Sequence, residues 1–169
     1  MLEYIKGIVT MILPSYIVVE NNGIGYRIYT PNPYSYKEGS EYTIYIYEQI
    51  REDEHSLYGF NDISEKDMFL KLIDVKGLGP KMALPMLATG SINGICDAIN
   101  RENVLYLKKF PKIGDKVAKQ IILDLKGKVS TSEEYVSSSE SDDLVEALEA
   151  LGYKMNDIRR VIPMVDKNN

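Results

Sequence analysis

Between residues 75 and 118 the sequence repeats itself. Leu78-Gly79-Pro80-Lys81-Met82-Ala83 aligns with Ile113-Gly114-Asp115-Lys116-Val117-Ala118 at a separation of 35 residues, sharing the pattern apolar, Gly, any residue, Lys, apolar, Ala. A period of that length marks a supersecondary unit used twice. Each copy lies between two stretches of helical periodicity, so each reads as helix, hairpin, helix. Glycine lets such a hairpin be approached closely, and the free N–H groups that open the second helix face a phosphate. Lys81 and Lys116 fall in the first turn of that helix and add charge. Contacts of this type read the backbone of a nucleic acid and not its bases, so binding is expected to be independent of sequence and steeply dependent on salt. One such turn is common structural punctuation; two in register, each with its lysine, argue for a ligand.

The whole chain has a net charge of −5, which would disfavour a polyanion if it were spread evenly. Residues 1–63 carry −5, residues 64–128 carry +5 and residues 129–169 carry −5. A basic middle between acidic ends is a local footprint that the average conceals. Charge alone would equally describe solvated helices; the duplicated motif decides for DNA. The single cysteine, Cys96, allows no internal disulfide, and with one histidine, His55, there is no Cys/His metal cluster. A reducing cytoplasm fits. The apolar start is broken by Glu3, Lys6, Pro14 and Glu20, which suits neither a signal peptide nor a membrane span. The expectation is a soluble protein with no cofactor and no membrane partner. No G-x-x-x-x-G-K-[ST] stretch is present to hold ATP.

Residues 1–63 alternate as strands: Ile5 to Leu13, Tyr16 to Glu20, Ile24 to Tyr29, Tyr42 to Ile50 and Ser56 to Phe60. Asn21-Asn22-Gly23 suits a tight hairpin, and Pro31-Asn32-Pro33 cannot continue a ladder. Five short strands suggest a barrel of the OB type, although sandwiches share the pattern. From Ser64-Glu65-Lys66-Asp67, which resembles a helix start, the period becomes helical: Pro80 to Ala88, Ile92 to Asn100, Val104 to Lys109 and Asp115 to Lys126 follow over residues 64–128. Pro85 should bend or shorten its helix. Residues 129–141, rich in Ser and Glu, read as a flexible linker. Residues 142–169 read as two helices, the first with Leu144, Val145, Leu148 and Leu151 on its apolar side and Gly152 as its stop. The fold class is α+β with several domains.

Arg51-Glu52-Asp53-Glu54-His55 sets three consecutive carboxylates at a hairpin tip. A solubilising loop is the plainest reading. A metal-dependent nuclease is a sharper one, since clustered carboxylates can hold Mg²⁺, but neighbours on an extended strand point to opposite faces. A scaffold that binds only proteins is a further alternative, and it predicts no salt-sensitive retention of DNA.

In order and spacing, NGIGYRI (22–28), REDEHSLYGF (51–60), VKGLGPKMAL (75–84), PKIGDKVAKQIILDLKGK (111–128) and VEALEALGY (145–153) resemble the RuvA family of bacterial Holliday-junction-binding proteins. The resemblance implies an N-terminal OB barrel, a middle domain with two helix-hairpin-helix motifs, and a mobile C-terminal UBA-like domain that contacts the hexameric motor RuvB. It also implies a non-catalytic role in branch migration during recombination, repair and the SOS response to DNA damage. The implied partners are Holliday-junction DNA, RuvB, the resolvase RuvC through the complex, and further copies of the chain. These copies form a homotetramer, one or two of which hold the junction. Gly77, Gly79 and Lys81 match the first hairpin; Gly114 and Lys116 match the second. Glu52 and Asp53 would form an acidic pin at the four-fold axis, where strands separate, and Leu144, Leu148, Leu151 and Tyr153 would face RuvB.

Three departures weaken the second hairpin on this reading. Lys112 stands where the family has glycine and should resist a positive φ. Asp115 stands where a basic residue is frequent, and should repel phosphate or cap its helix. Gln120 replaces a common arginine. Lys112 and Lys119 would compensate with charge. The chain ends at MVDKNN after two helices where the family has three, so the expectation is either a shortened domain or a truncated chain.

Overall fold

The computed structural model describes residues 1–130, 147, 148 and 150–152. Met1–Val129 forms one compact unit and Ser130–Asn169 a second. Five strands, β1 (Tyr4–Ile12), β2 (Tyr16–Asn21), β3 (Ile24–Tyr29), β4 (Glu41–Ile50) and β5 (His55–Phe60), close into a barrel in the order β1-β2-β3-β5-β4. β1 pairs antiparallel with β2 and with β4, and a short parallel ladder of β3 with β5, Ile28 opposite Leu57 and Tyr29 opposite Tyr58, completes the wall. This closure removes the sandwich alternative. Asn22 and Gly23 take φ of 50° and 79°, the left-handed pair that matches a two-residue hairpin to strand twist.

Alternation along the strands fills the barrel. Ile5, Val9, Ile17, Val19, Ile28, Ile44 and Ile46 are buried inside it. The outward face of β4 is also apolar because it has a second neighbour: Tyr47 meets the ring of Phe69 at 5.6 Å between centroids.

Helices α1 (Ile63–Asp74), α2 (Pro80–Thr89), α3 (Ile92–Asn100), α4 (Val104–Leu107) and α5 (Asp115–Leu125) follow. The cap of α1 is Asp62, not the Ser64 segment: its carboxylate accepts hydrogen bonds from the Glu65 N–H at 2.8 Å and from the Ser64 hydroxyl at 2.6 Å. α2 runs through Pro85 without being shortened. The ring removes the bond that would end on the Lys81 carbonyl, and the Pro85 carbonyl in turn accepts from the Thr89 hydroxyl at 2.8 Å. α4 stops two residues earlier than its apolar pattern suggests.

The helices share their core with the barrel wall. Tyr58 and Phe60 of β5 belong to the same buried cluster as Phe69, Leu72, Ile99, Leu107 and Ile121, and Lys66 of α1 is drawn against the barrel's N-terminus by Glu3 at 2.7 Å. In the second unit, Ala147, Leu148 and Ala150 are helical, the Leu151 N–H donates to the Ala147 carbonyl at 3.2 Å, and Gly152 takes φ of 87°. The linker from 131 onward, Leu144 and Tyr153 lie outside the described residues. Among the described residues no single helix is long and apolar enough to cross a membrane.

Candidate nucleic-acid interface

The two hairpins are built by the same bonds. In the first, the Leu78 N–H donates to the Val75 carbonyl at 3.1 Å; in the second, the Ile113 N–H donates to the Phe110 carbonyl at 3.2 Å. Leu78 and Ile113 are buried and anchor each turn in the helical core. The residue before each anchor is left-handed: Gly77 at φ 88° and Lys112 at φ 64°. Lys112 adopts the conformation although its Cβ disfavours it; the repeated tertiary framework imposes the turn, at a cost of about 1–2 kcal/mol. Its ammonium group is exposed as a result.

Each hairpin then delivers a glycine N-cap. Gly79 has φ −99° and ψ 175°, Gly114 has φ −93° and ψ −176°, and neither helix start receives a side-chain cap. These angles suit any residue, and a Cβ added at Gly79 or Gly114 would meet nothing within 4 Å. Neither strain nor packing within the protein accounts for the missing side chains. The arrangement leaves bare backbone before a helix N-terminus, which favours the approach of a phosphate oxygen. Lys81 and Lys116 are exposed at the second position of their helices.

The hairpins differ in charge. Asp115 does not cap α5; Gly114 occupies that position. Its carboxylate instead lies 2.9 Å from Lys108 and 4.0 Å from Lys119. The hydrogen bond from Lys108, reinforced by the charges of Lys108 and Lys119, holds Asp115 below the ordinary carboxylate range. Lys119 therefore faces an internal carboxylate. The Gln120 amide N–H donates to Asp124 Oδ1 at 2.8 Å. Lys108 is a cation at this hairpin that the repeat does not single out, because it precedes the aligned segment; the Lys108-Lys109 pair ahead of Phe110 is its only sequence signal.

The acidic hairpin is a separate element. β4 and β5 stay paired to Ile50 and His55, and the Arg51 N–H donates to the Glu54 carbonyl at 2.7 Å, which leaves Glu52 and Asp53 exposed at the tip. Of the two residues expected to belong to the loop, Glu54 does and His55 does not, and both are tied down. Glu54 accepts from the Ser56 hydroxyl at 2.7 Å. His55 opens β5, with Nε2 2.8 Å from Glu48 Oε1, and the other Glu48 oxygen accepts from the Leu2 N–H at 3.1 Å. The His55 bond, then the Leu2 bond, hold Glu48 below the usual carboxylate range. Among the described residues no three His, Cys, Asp or Glu side chains are grouped to hold a metal ion.

The fold brings the base of the acidic hairpin and the first basic hairpin to one cleft. A space of about 610 Å³ is walled by Glu54 and Tyr58, by Tyr29 to Pro31, and by Lys81, Leu84 and Pro85 of α2. Of the four residues expected to face a motor protein, Leu148 is half-buried and Leu151 exposed.

Residues 1–59 match the RuvA N terminal domain, residues 69–128 the SAM-like Helix-hairpin-helix tandem, and residues 139–169 the RuvA C-terminal domain. The Holliday junction branch migration complex subunit RuvA of Acholeplasma laidlawii is 49% identical over 168 residues, covering 98% of this chain and 90% of the relative. Those of Listeria innocua and Leuconostoc mesenteroides are 45% and 44% identical, each covering 100% of this chain and 92% of the relative. With its barrel, its twin hairpins and relatives aligned along its whole length, the chain belongs to the RuvA family.

Proposed function

We propose that this protein binds four-way DNA junctions by their shape, without chemistry of its own, and presents them to an ATP-driven motor for branch migration. The observation that carries this reading is the repeated backbone trap: two left-handed turns, two uncapped glycine N-termini and a lysine one residue inside each helix. Gly77, Gly79 and Lys81, with Lys112, Gly114, Lys116 and Lys119, hold phosphates of the duplex arms. Glu52 and Asp53 stand at the crossover, where a ring of carboxylates from four copies repels phosphate and favours open strands. The motor is RuvB, met by the C-terminal unit through Leu144, Leu148, Leu151 and Tyr153; RuvC acts on the same complex, in the cytoplasm.

A gel shift comparing a four-way junction with linear duplex at matched salt tests this. Tighter retention of the junction, with an affinity that falls steeply as salt rises, is expected; equal affinity for both would sink the claim. In the same assay Glu52→Gln with Asp53→Asn should leave junction binding intact or tighter, since only repulsion is removed.

A further inference from the structure

We propose that the two hairpins are unequal by construction: Asp115 acts as an internal stand-in for phosphate that occupies Lys108 and Lys119 until DNA displaces it. This rests on the phosphate-binding reading above and adds a residue that sets the strength of one of its two contacts.

The protein supplies its own control. The hairpins share the turn bond, the left-handed residue and the extended glycine N-cap, so backbone geometry does not distinguish them. The first residue of the second helix does. In the first copy it is Pro80, neutral and without an N–H; in the second it is Asp115, an anion placed where the helix dipole and the open glycine would otherwise favour phosphate. Asp115 also engages cations on both sides, Lys108 from the end of α4 and Lys119 one turn along α5. All three side chains are substantially exposed, so the pairs exchange readily with solvent and with a competing anion. A DNA phosphate at Gly114 must overcome the Asp115 charge, and in doing so it frees two lysines to reach neighbouring phosphates. The first hairpin engages without this competition. The second contributes mainly once the first has brought DNA close, which makes it a lock of adjustable strength and not a second equal grip.

Asp115→Asn in the full chain keeps the shape and removes the charge. It should tighten four-way-junction binding roughly three- to tenfold at moderate salt, and steepen the dependence of log affinity on log salt by about 0.9 for each lysine released to phosphate. Lys108→Ala should cost little in the native background and distinctly more in the Asp115→Asn background, a coupling that a simple loss of surface charge does not produce. Asp97→Asn, which breaks the comparable exposed pair with Arg101 on α3, provides the reference for loss of one negative charge elsewhere. Asp115→Asn with the affinity and slope of Asp97→Asn, or equal effects of Lys108→Ala in both backgrounds, would overturn the proposal while leaving junction binding itself intact. A native protein that shows no salt-sensitive retention of the junction would instead remove the reading on which it rests.

Discussion

Glycine does two different jobs in these hairpins, and the two can be separated by substitution. Gly77 is needed for its φ of 88°, whereas Gly79 has ordinary angles and open space before it. Gly77→Ala should therefore destabilise the fold by about 1–2 kcal/mol, the cost of a left-handed residue with a Cβ. Gly79→Ser should leave the melting temperature unchanged or slightly raised, because serine is a good N-cap, yet weaken junction binding by filling the space before the helix and engaging its N–H groups. Thermal melts paired with gel shifts read both effects; native affinity in Gly79→Ser would show that the open ground is not used. At this scale the sequence was informative about which residues repeat. It marked Lys112 as resisting the turn but not that the turn wins: the local preference, about 1–2 kcal/mol, yields because the flanking Phe110 and Ile113 are buried. It left Lys108 unassigned because an ion pair between α4 and α5 depends on how two helices pack.

The acidic hairpin works as an element because its base is fastened. The Glu48 carboxylate bridges His55 on the neighbouring strand and the Leu2 N–H at the chain start, so the two strands that carry Glu52 and Asp53 are tied to each other and to the barrel. Because Glu48 is held below the usual carboxylate range, chiefly by His55, its contribution to stability is present above the ordinary carboxylate pKa and is lost as pH falls through the lowered folded value. Glu48→Gln should accordingly melt below the native protein at neutral pH, and the gap should close as pH falls through the carboxylate range. A gap that stays constant with pH would assign the effect to shape and not to charge. Strand alternation and the turn residues located both arms of this hairpin within a residue, while His55 was taken for loop because its partner, Glu48, is a cross-strand neighbour visible only once register is known.

Over the molecule as a whole, barrel and helices meet through aromatic rings. Phe69 is fully buried, with centroids 4.7 Å from Phe60 and 5.6 Å from both Tyr58 and Tyr47. Phe69→Ala should destabilise by about 3–5 kcal/mol, and because the ring belongs to both elements, barrel and helical signals should fall together in one transition at a lower temperature. Separate transitions would show that the two fold independently. The amino-acid sequence by itself determined the five strands, the helical repeat, the positions of the lysines and the acidic tip, because hydrophobic period, turn chemistry and charge order are local properties of a chain. Only the tertiary structure decided that the strands close through the parallel β3–β5 ladder, that β5 lends Tyr58 and Phe60 to the helical core, that Lys112 turns left-handed, and that Asp115 meets Lys108 from the end of α4. Each of these depends on contacts between residues distant in sequence or on separate elements, and such contacts have free energies set by packing, which no local pattern encodes.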